Sequence, residues 1–190
     1  SLATRASSGF AIDAMFEACP ELLGGSADLT GSNNTLAKGS QDFAPENRLA
    51  TIRTLTELAL AGEATGAPAF DALGQLAREV ELTPAMVEDV IAGFALDAAG
   101  WRPATEADLL RYCYHVAGAV GVLMAVVMGV PADEEDTLDR ASDLGVAFQL
   151  GNIVRDVRED HAGGRCYLPA EWLAAGGIGA GAVMDERHRP

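Results

Sequence analysis

An all-α fold is predicted by three features of residues 49–162. Apolar side chains recur at helical spacing, cap and stop residues punctuate them, and no strand signal of comparable strength interrupts them. The chain has 190 residues, of which 49% are hydrophobic and 22% charged. It is therefore long enough to bury a real core and too apolar for wholesale disorder. It carries 28 acidic against 13 basic side chains, a net charge of −15. A surface of that sign repels nucleic acid and anionic membranes as main partners, yet it can hold a polyanionic substrate through divalent cations.

The elements follow in order. A short helical stretch over residues 5–18 leads to a candidate strand at Glu21–Leu23, and the run GGSADLTGSNNTLAKGSQDFAPEN reads as loop. The character changes near Arg48. Leu49, Ile52, Leu55 and Leu58 recur every third residue and predict a first long helix. After the breaker GEATGAP, a second is marked by Phe70, Leu73, Leu76 and Val80. Thr83-Pro84 supplies an N-cap and a first-turn proline for a third, apolar at Val87, Val90, Ile91 and Phe94 and ending at Gly100. Thr105 and Asp108 have capping-box spacing and open a long helix reaching Met128. The last long helix runs from near Glu134 to about His161, where Gly163-Gly164 stops it. Asp133–Asp136 then lie at a helix start, where acids favour the macrodipole.

Val116–Ala132 carries no charge and reaches the ~17 residues that begin the spanning range. Glycine and alanine dilute it, and acids follow it, so a buried central helix is expected and not a membrane span. Cys19, Cys113 and Cys166 are odd in number and far apart, with neither zinc spacing nor a disulfide framework. A reducing cytoplasm is the simplest location, and the opening SLATRASSGF has no signal-peptide core. His115 is expected as a satisfied core residue, and Trp101 and Trp172 as packing anchors at helix ends.

Chemistry concentrates in AFQLGNIVRDVREDHAGGRCYLPAEWL, residues 147–173. Asn152, Asp156 and Asp160 are spaced i, i+4, i+8 and share one helix face, with Gln149 one turn earlier. Helical rise separates Asn152 from Asp160 by ~12 Å, room for a ligand with several oxygens. Leu150, Ile153, Val154 and Val157 are apolar, so polar groups cut into a helix expected to be substantially buried. Hard oxygen donors without His or Cys suit Mg²⁺ or Mn²⁺. A solvated face with Arg155–Glu159 pairing is the competing reading of the same spacing.

Pro84–Ile178 resembles bacterial phytoene synthases of the squalene/phytoene synthase family, through GFALDAAGWR (93–102), RYCYHVAGAVGVLMAVVMGV (111–130), TLDRASDLGVAFQLGNIVRDVRED (137–160) and GRCYLPAEWL (164–173). The resemblance extends more weakly back to Arg48. It implies a partial isoprenoid-synthase helical bundle over 49–190 and head-to-head condensation of two geranylgeranyl diphosphates to phytoene, a step in carotenoid biosynthesis. By the same resemblance Asp156 and Asp160 are the catalytic aspartates of the second aspartate-rich motif. They hold Mg²⁺ together with Asn152, while Tyr112, Gln149 and Arg155 meet the substrate. A prenyl diphosphate is thus the expected partner. A peripheral membrane contact for product release and self-association through bare cavity walls stay open.

There are departures. The family's earlier aspartate-rich motif has no counterpart in residues 1–110, Gly151 stands where threonine is usual, and Pro103 replaces a tyrosine. The missing motif leaves activity of this chain alone open, with a non-catalytic helical interaction module as the alternative. Residues 1–48 resemble instead the start of the pyrimidine-binding domain of transketolases, through GGSADLTGSNNT, with Arg5, Asp28 and Ser32 at matching positions. The likeness stops at Arg48, so a transketolase fragment is the weaker alternative, and a short, poorly ordered appendage derived from an α/β domain is expected there.

Overall fold

The computed structural model describes residues 45–179 and 181–185. Arg5, Asp28, Ser32 and the expected disorder of residues 24–44 lie outside the described residues. Pro45–Asn47, expected as loop, instead begin a helix, and a compact unit of the chain starts at Pro45. Among the described residues there is no strand.

The helices are α1 (Pro45–Leu60), α2 (Pro68–Glu79), α3 (Pro84–Ala98), α4 (Glu106–Cys113), α5 (Ala119–Val127), α6 (Glu135–Ala162) and α7 (Ala170–Ala175). Their ends follow from local chemistry. The Thr83 hydroxyl accepts from the Met86 amide at 3.3 Å, and Pro84 takes the first helical position. At α4 both arms of the capping box are made: Asp108 N–H donates to Thr105 Oγ1 at 3.2 Å, and Thr105 N–H donates to Asp108 Oδ2 at 3.0 Å. Glu135 and Asp136 occupy the first turn of α6. That helix closes in a Schellman turn: Gly164 adopts φ 75°, its N–H reaches the His161 carbonyl at 3.0 Å, and Arg165 N–H reaches the Asp160 carbonyl at 2.8 Å.

The long apolar helix is not uniform. Between α4 and α5 the chain makes one π-helical turn, Tyr114–Gly118. Such a turn widens the backbone and shifts the faces presented beyond it. Helix α3 holds it there. Asp89 accepts from the Tyr114 hydroxyl at 2.7 Å, and its carbonyl lies 3.0 Å from His115 Nδ1. Gly93 lets α3 approach the backbone at His115–Val116. His115 is thereby half-buried and partnered, as expected.

Two apolar clusters form the core. Leu109, Tyr112, Cys113, Ile153 and Tyr167 bring together α4, α6 and the segment leading into α7. Ala125, Val126 and Leu138 join α5 to the start of α6. Trp101 stacks on Tyr112 with ring centroids 5.5 Å apart, and Tyr167 stacks on its other face at 5.1 Å. Burial pushes the Cys113 thiol up to about 11. Three expectations need correction. Trp172 lies inside α7 and is largely exposed, Phe94 is exposed, and Val154 points away from the core. The segment expected to be buried all round is covered on one face only: Ala119, Ala125 and Val126 are buried, while Val120, Met124 and Met128 are not. Glu106–Val127 is long and apolar enough to cross a membrane by length and composition alone, with 33% of its most apolar window buried.

A close approach of two backbones joins the π turn and α5 to α6. A Cβ added at Gly121 would overlap the Ala141 carbonyl oxygen, and one added at Gly145 would overlap that of Ala117. As one helix advances from 117 to 121 the other retreats from 145 to 141, so the two run antiparallel with backbones in contact. Gly145→Ala should therefore destabilise by about 1–3 kcal/mol in urea unfolding. Gly151→Ala on the same helix meets nothing within 4 Å and should stabilise by up to about 1 kcal/mol. Equal effects of the two substitutions would contradict the close crossing.

The capping box sets an acid dependence. Hydrogen bonds from the Thr105 backbone and side chain hold Asp108 below its ordinary value of 3.8. Its contribution is complete above 3.8 and is lost as pH falls through the lower folded value. Urea melts of the protein and of Asp108→Asn should therefore differ by a constant amount at neutral pH and converge in acid.

Candidate active site

Because glycine forms the contact between α5 and α6, no side chain among the described residues fills the outer angle where they meet. An open groove of about 320 Å³ results. Val120 and Met124 wall one side and Leu144 and Phe148 the other, with Gly121 and Gly145 in the floor. Leu144 and Phe148 are 59% and 67% exposed, so the walls are apolar surface open to one side.

Gln149 and Asn152 line the groove's polar end. Asn152 Nδ2 donates to Gln149 Oε1 at 3.3 Å, which orients both amides. At 100° per residue, Asp156 follows Asn152 along α6 by one turn, and Asp160 follows Asp156. The four form a line between the open face of α6 and the side carrying Val146, Leu150 and buried Ile153. The sequence thus placed the polar stripe on one helix, and the structure sets its first two members at the groove.

The two aspartates differ. Asp156 is accessible, and Arg155 grips it with both ends of its fork, Nε to Oδ1 at 2.6 Å and Nη2 to Oδ2 at 2.5 Å. That guanidinium holds the Asp156 carboxyl below its ordinary range. The competing reading's Arg155–Glu159 pairing is not the contact the arginine makes, which is to Asp156. With the arginine half-exposed, solvent screens the pair. Asp160 is buried, with Arg165 Nη2 3.5 Å from its Oδ1, and it faces a small recess beside His161, Cys166 and Tyr167. The Schellman turn delivers Arg165 to that position.

Tyr112 is fully buried between Trp101 and Tyr167, and its hydroxyl donates to Asp97 Oδ1 at 2.9 Å. It stands inside the core and does not line the groove. Burial among these groups raises its phenol far above the usual value. The sequence reading singled out the polar line and missed the groove walls. The i, i+4 pair Leu144–Phe148 facing Val120 and Met124 was the available signal, but apolar spacing does not distinguish a wall from a core face.

Among the described residues no three His, Cys, Asp or Glu side chains lie close enough to hold a metal by themselves. Asn152 and Asp156 instead present oxygens along the less buried side of α6, while Asp160 lies buried beside Arg165. Such a set suits a hard cation that shares its coordination with phosphate and water oxygens, as small divalent ions commonly do.

Residues 30–190 match the squalene/phytoene synthase family. The match begins inside the segment whose residues resemble transketolases. A phytoene synthase of Pseudescherichia vulneris is 54% identical over 131 residues, 69% of this chain and 42% of the relative. A 15-cis-phytoene synthase of Pantoea ananas is 48% identical over 134 residues, 70% of this chain and 43% of the relative. The chain thus spans about two fifths of the length of these curated relatives. A crystallised dehydrosqualene synthase superimposes with a TM-score of 0.64 at 28% identity, covering 92% of this chain and 55% of that one. The squalene synthase HpnC of Alicyclobacillus acidocaldarius does so with a TM-score of 0.66 at 28% identity, covering 75% and 54%.

The open groove should bind a hydrophobic fluorescent dye such as anilinonaphthalene sulfonate in the native state. Leu144→Glu with Phe148→Glu should lower that fluorescence with the far-UV circular dichroism unchanged. Undiminished dye binding would place the exposed apolar surface elsewhere.

Proposed function

The chain belongs to the squalene/phytoene synthase family, and on that premise we propose that it takes part in the condensation of two prenyl diphosphates, geranylgeranyl diphosphate to phytoene, at the face of α6. The observation that supports this most is the pair of amides, Gln149 and Asn152, at one end of an apolar groove, with Asp156 one helical turn beyond them. One end suits a prenyl chain and the other a diphosphate. In this reading Asn152, Asp156 and Asp160 hold Mg²⁺, or Mn²⁺, against the diphosphate, and the cation's chemistry is to neutralise charge on the departing group. Gln149 and Arg155 donate to the same oxygens. Val120, Met124, Leu144 and Phe148 hold the chain and keep water from an allylic cation. Tyr112 acts from the core, where its stacked ring and its bond to Asp97 keep α4 in register with the approach to α7. A cytoplasmic protein touching a membrane only to discharge an apolar product accords with the chemistry.

The alternative of a non-catalytic helical module lacks a reason for two amides to close a groove's end with a carboxylate one turn beyond. Calorimetric or dichroism melts with Mg²⁺ and a non-hydrolysable geranylgeranyl thiodiphosphate discriminate. Ligand at a hundred times its dissociation constant should raise the midpoint by about 5–10 °C only when both are present. Diphosphate release from geranylgeranyl diphosphate should fall by at least about 10–100-fold in Asp156→Ala, the loss seen even for residues that only support metal ligands. An unmoved melt, or turnover undiminished in that variant, would remove the assignment.

A further inference from the structure

Both carboxylates of the polar line carry a guanidinium from this same chain, Arg155 on Asp156 and Arg165 on Asp160. The first contact is unusual in its spacing. Adjacent helical residues point about 100° apart and do not ordinarily face each other, so the arginine must bend around the helix to reach its neighbour. It nevertheless occupies both oxygens of Asp156, at 2.6 and 2.5 Å. Its own side chain is 52% exposed against 18% for the aspartate, so the cap sits outside the carboxylate and can leave without disturbing the core.

We infer that Arg155 is a removable counter-ion, a positioning residue that closes over Asp156 in the free protein and turns to an incoming diphosphate, coupling cation binding to diphosphate binding. The inference rests on the reading of Asp156 as a cation ligand. A carboxylate with both oxygens in a guanidinium fork offers little to a divalent ion, so the ion alone binds weakly. The same fork fits phosphate oxygens equally well. When a diphosphate takes the arginine, Asp156 is released at the moment its cation arrives. Such coupling is reciprocal, and it keeps the site from filling with metal when substrate is absent.

The test compares the intact protein with Arg155→Gln, Arg158→Gln and Asp156→Ala. Arg158 is an exposed arginine on the same helix, so its loss removes the same charge without uncapping Asp156. Titration of Mn²⁺, followed by its paramagnetic resonance signal, is run alone and then with preformed manganese pyrophosphate. Arg155→Gln should bind Mn²⁺ alone at least about fivefold more tightly than the parent and manganese pyrophosphate more weakly, the smaller end of ordinary coupling strengths. Arg158→Gln should show neither change. If the two arginine variants behave alike, the effect is net charge and the inference is overturned. If Asp156→Ala loses Mn²⁺ binding while Arg155→Gln matches the parent, the cation site stands and the cap alone is refuted. Asp156→Ala binding Mn²⁺ like the parent would overturn both.

Discussion

The backbone contact between the π turn with α5 and the antiparallel α6 is the constraint on which the rest depends. Gly121 and Gly145 permit it, because any side chain there would meet a carbonyl of the facing helix. Contact at this range brings the buried residues Ala119, Ala125 and Val126 against α6 and its neighbours. It also empties the outer angle between the helices, since small residues that allow close approach cannot also fill the space beside it. The groove is therefore a consequence of the packing and needs no separate scaffold.

The position of the polar line follows from the same contact. With Gly145 fixing the rotation of α6, the residues one and two turns later inherit their directions. Gln149 and Asn152 open on the groove, while Asp160 turns inward. An inward carboxylate is expensive to desolvate and is retained only with a partner. The Schellman turn that ends α6 brings Arg165 beside it, so one local motif both stops the helix and compensates the charge. Asp156 lies between these situations, partly exposed and held by its neighbour Arg155.

The region around Tyr112 supplies rigidity of a different kind. Trp101, Tyr112 and Tyr167 form a stack that ties the end of α3, α4 and the approach to α7 together, with Asp97 accepting from both tyrosine hydroxyls, at 2.9 Å and 3.4 Å. The long helix starts from this stack and then passes through a π turn anchored by Asp89 and Gly93 of α3. The direction of α5, and with it the groove, is thus set by α3 on one side and α6 on the other.

By itself the sequence determined what local chemistry determines. Thr83, the Thr105–Asp108 box and Gly163-Gly164 place helix ends because each acts within a turn of its own backbone, and the spacing of Asn152, Asp156 and Asp160 puts them on one face of any helix they join. The long ordered segments also carried the family. Tertiary structure alone decided which face of an all-apolar helix stays open, because Val120 and Ala119 look alike until neighbouring helices cover one of them. It decided the π turn, which depends on Asp89 from another helix. It decided that Arg155 takes Asp156 and not Glu159, against the i,i+4 pairing that helical spacing favours. And it placed Tyr112 in the core, since an aromatic ring suits a cavity wall and a buried stack equally well until its neighbours arrive.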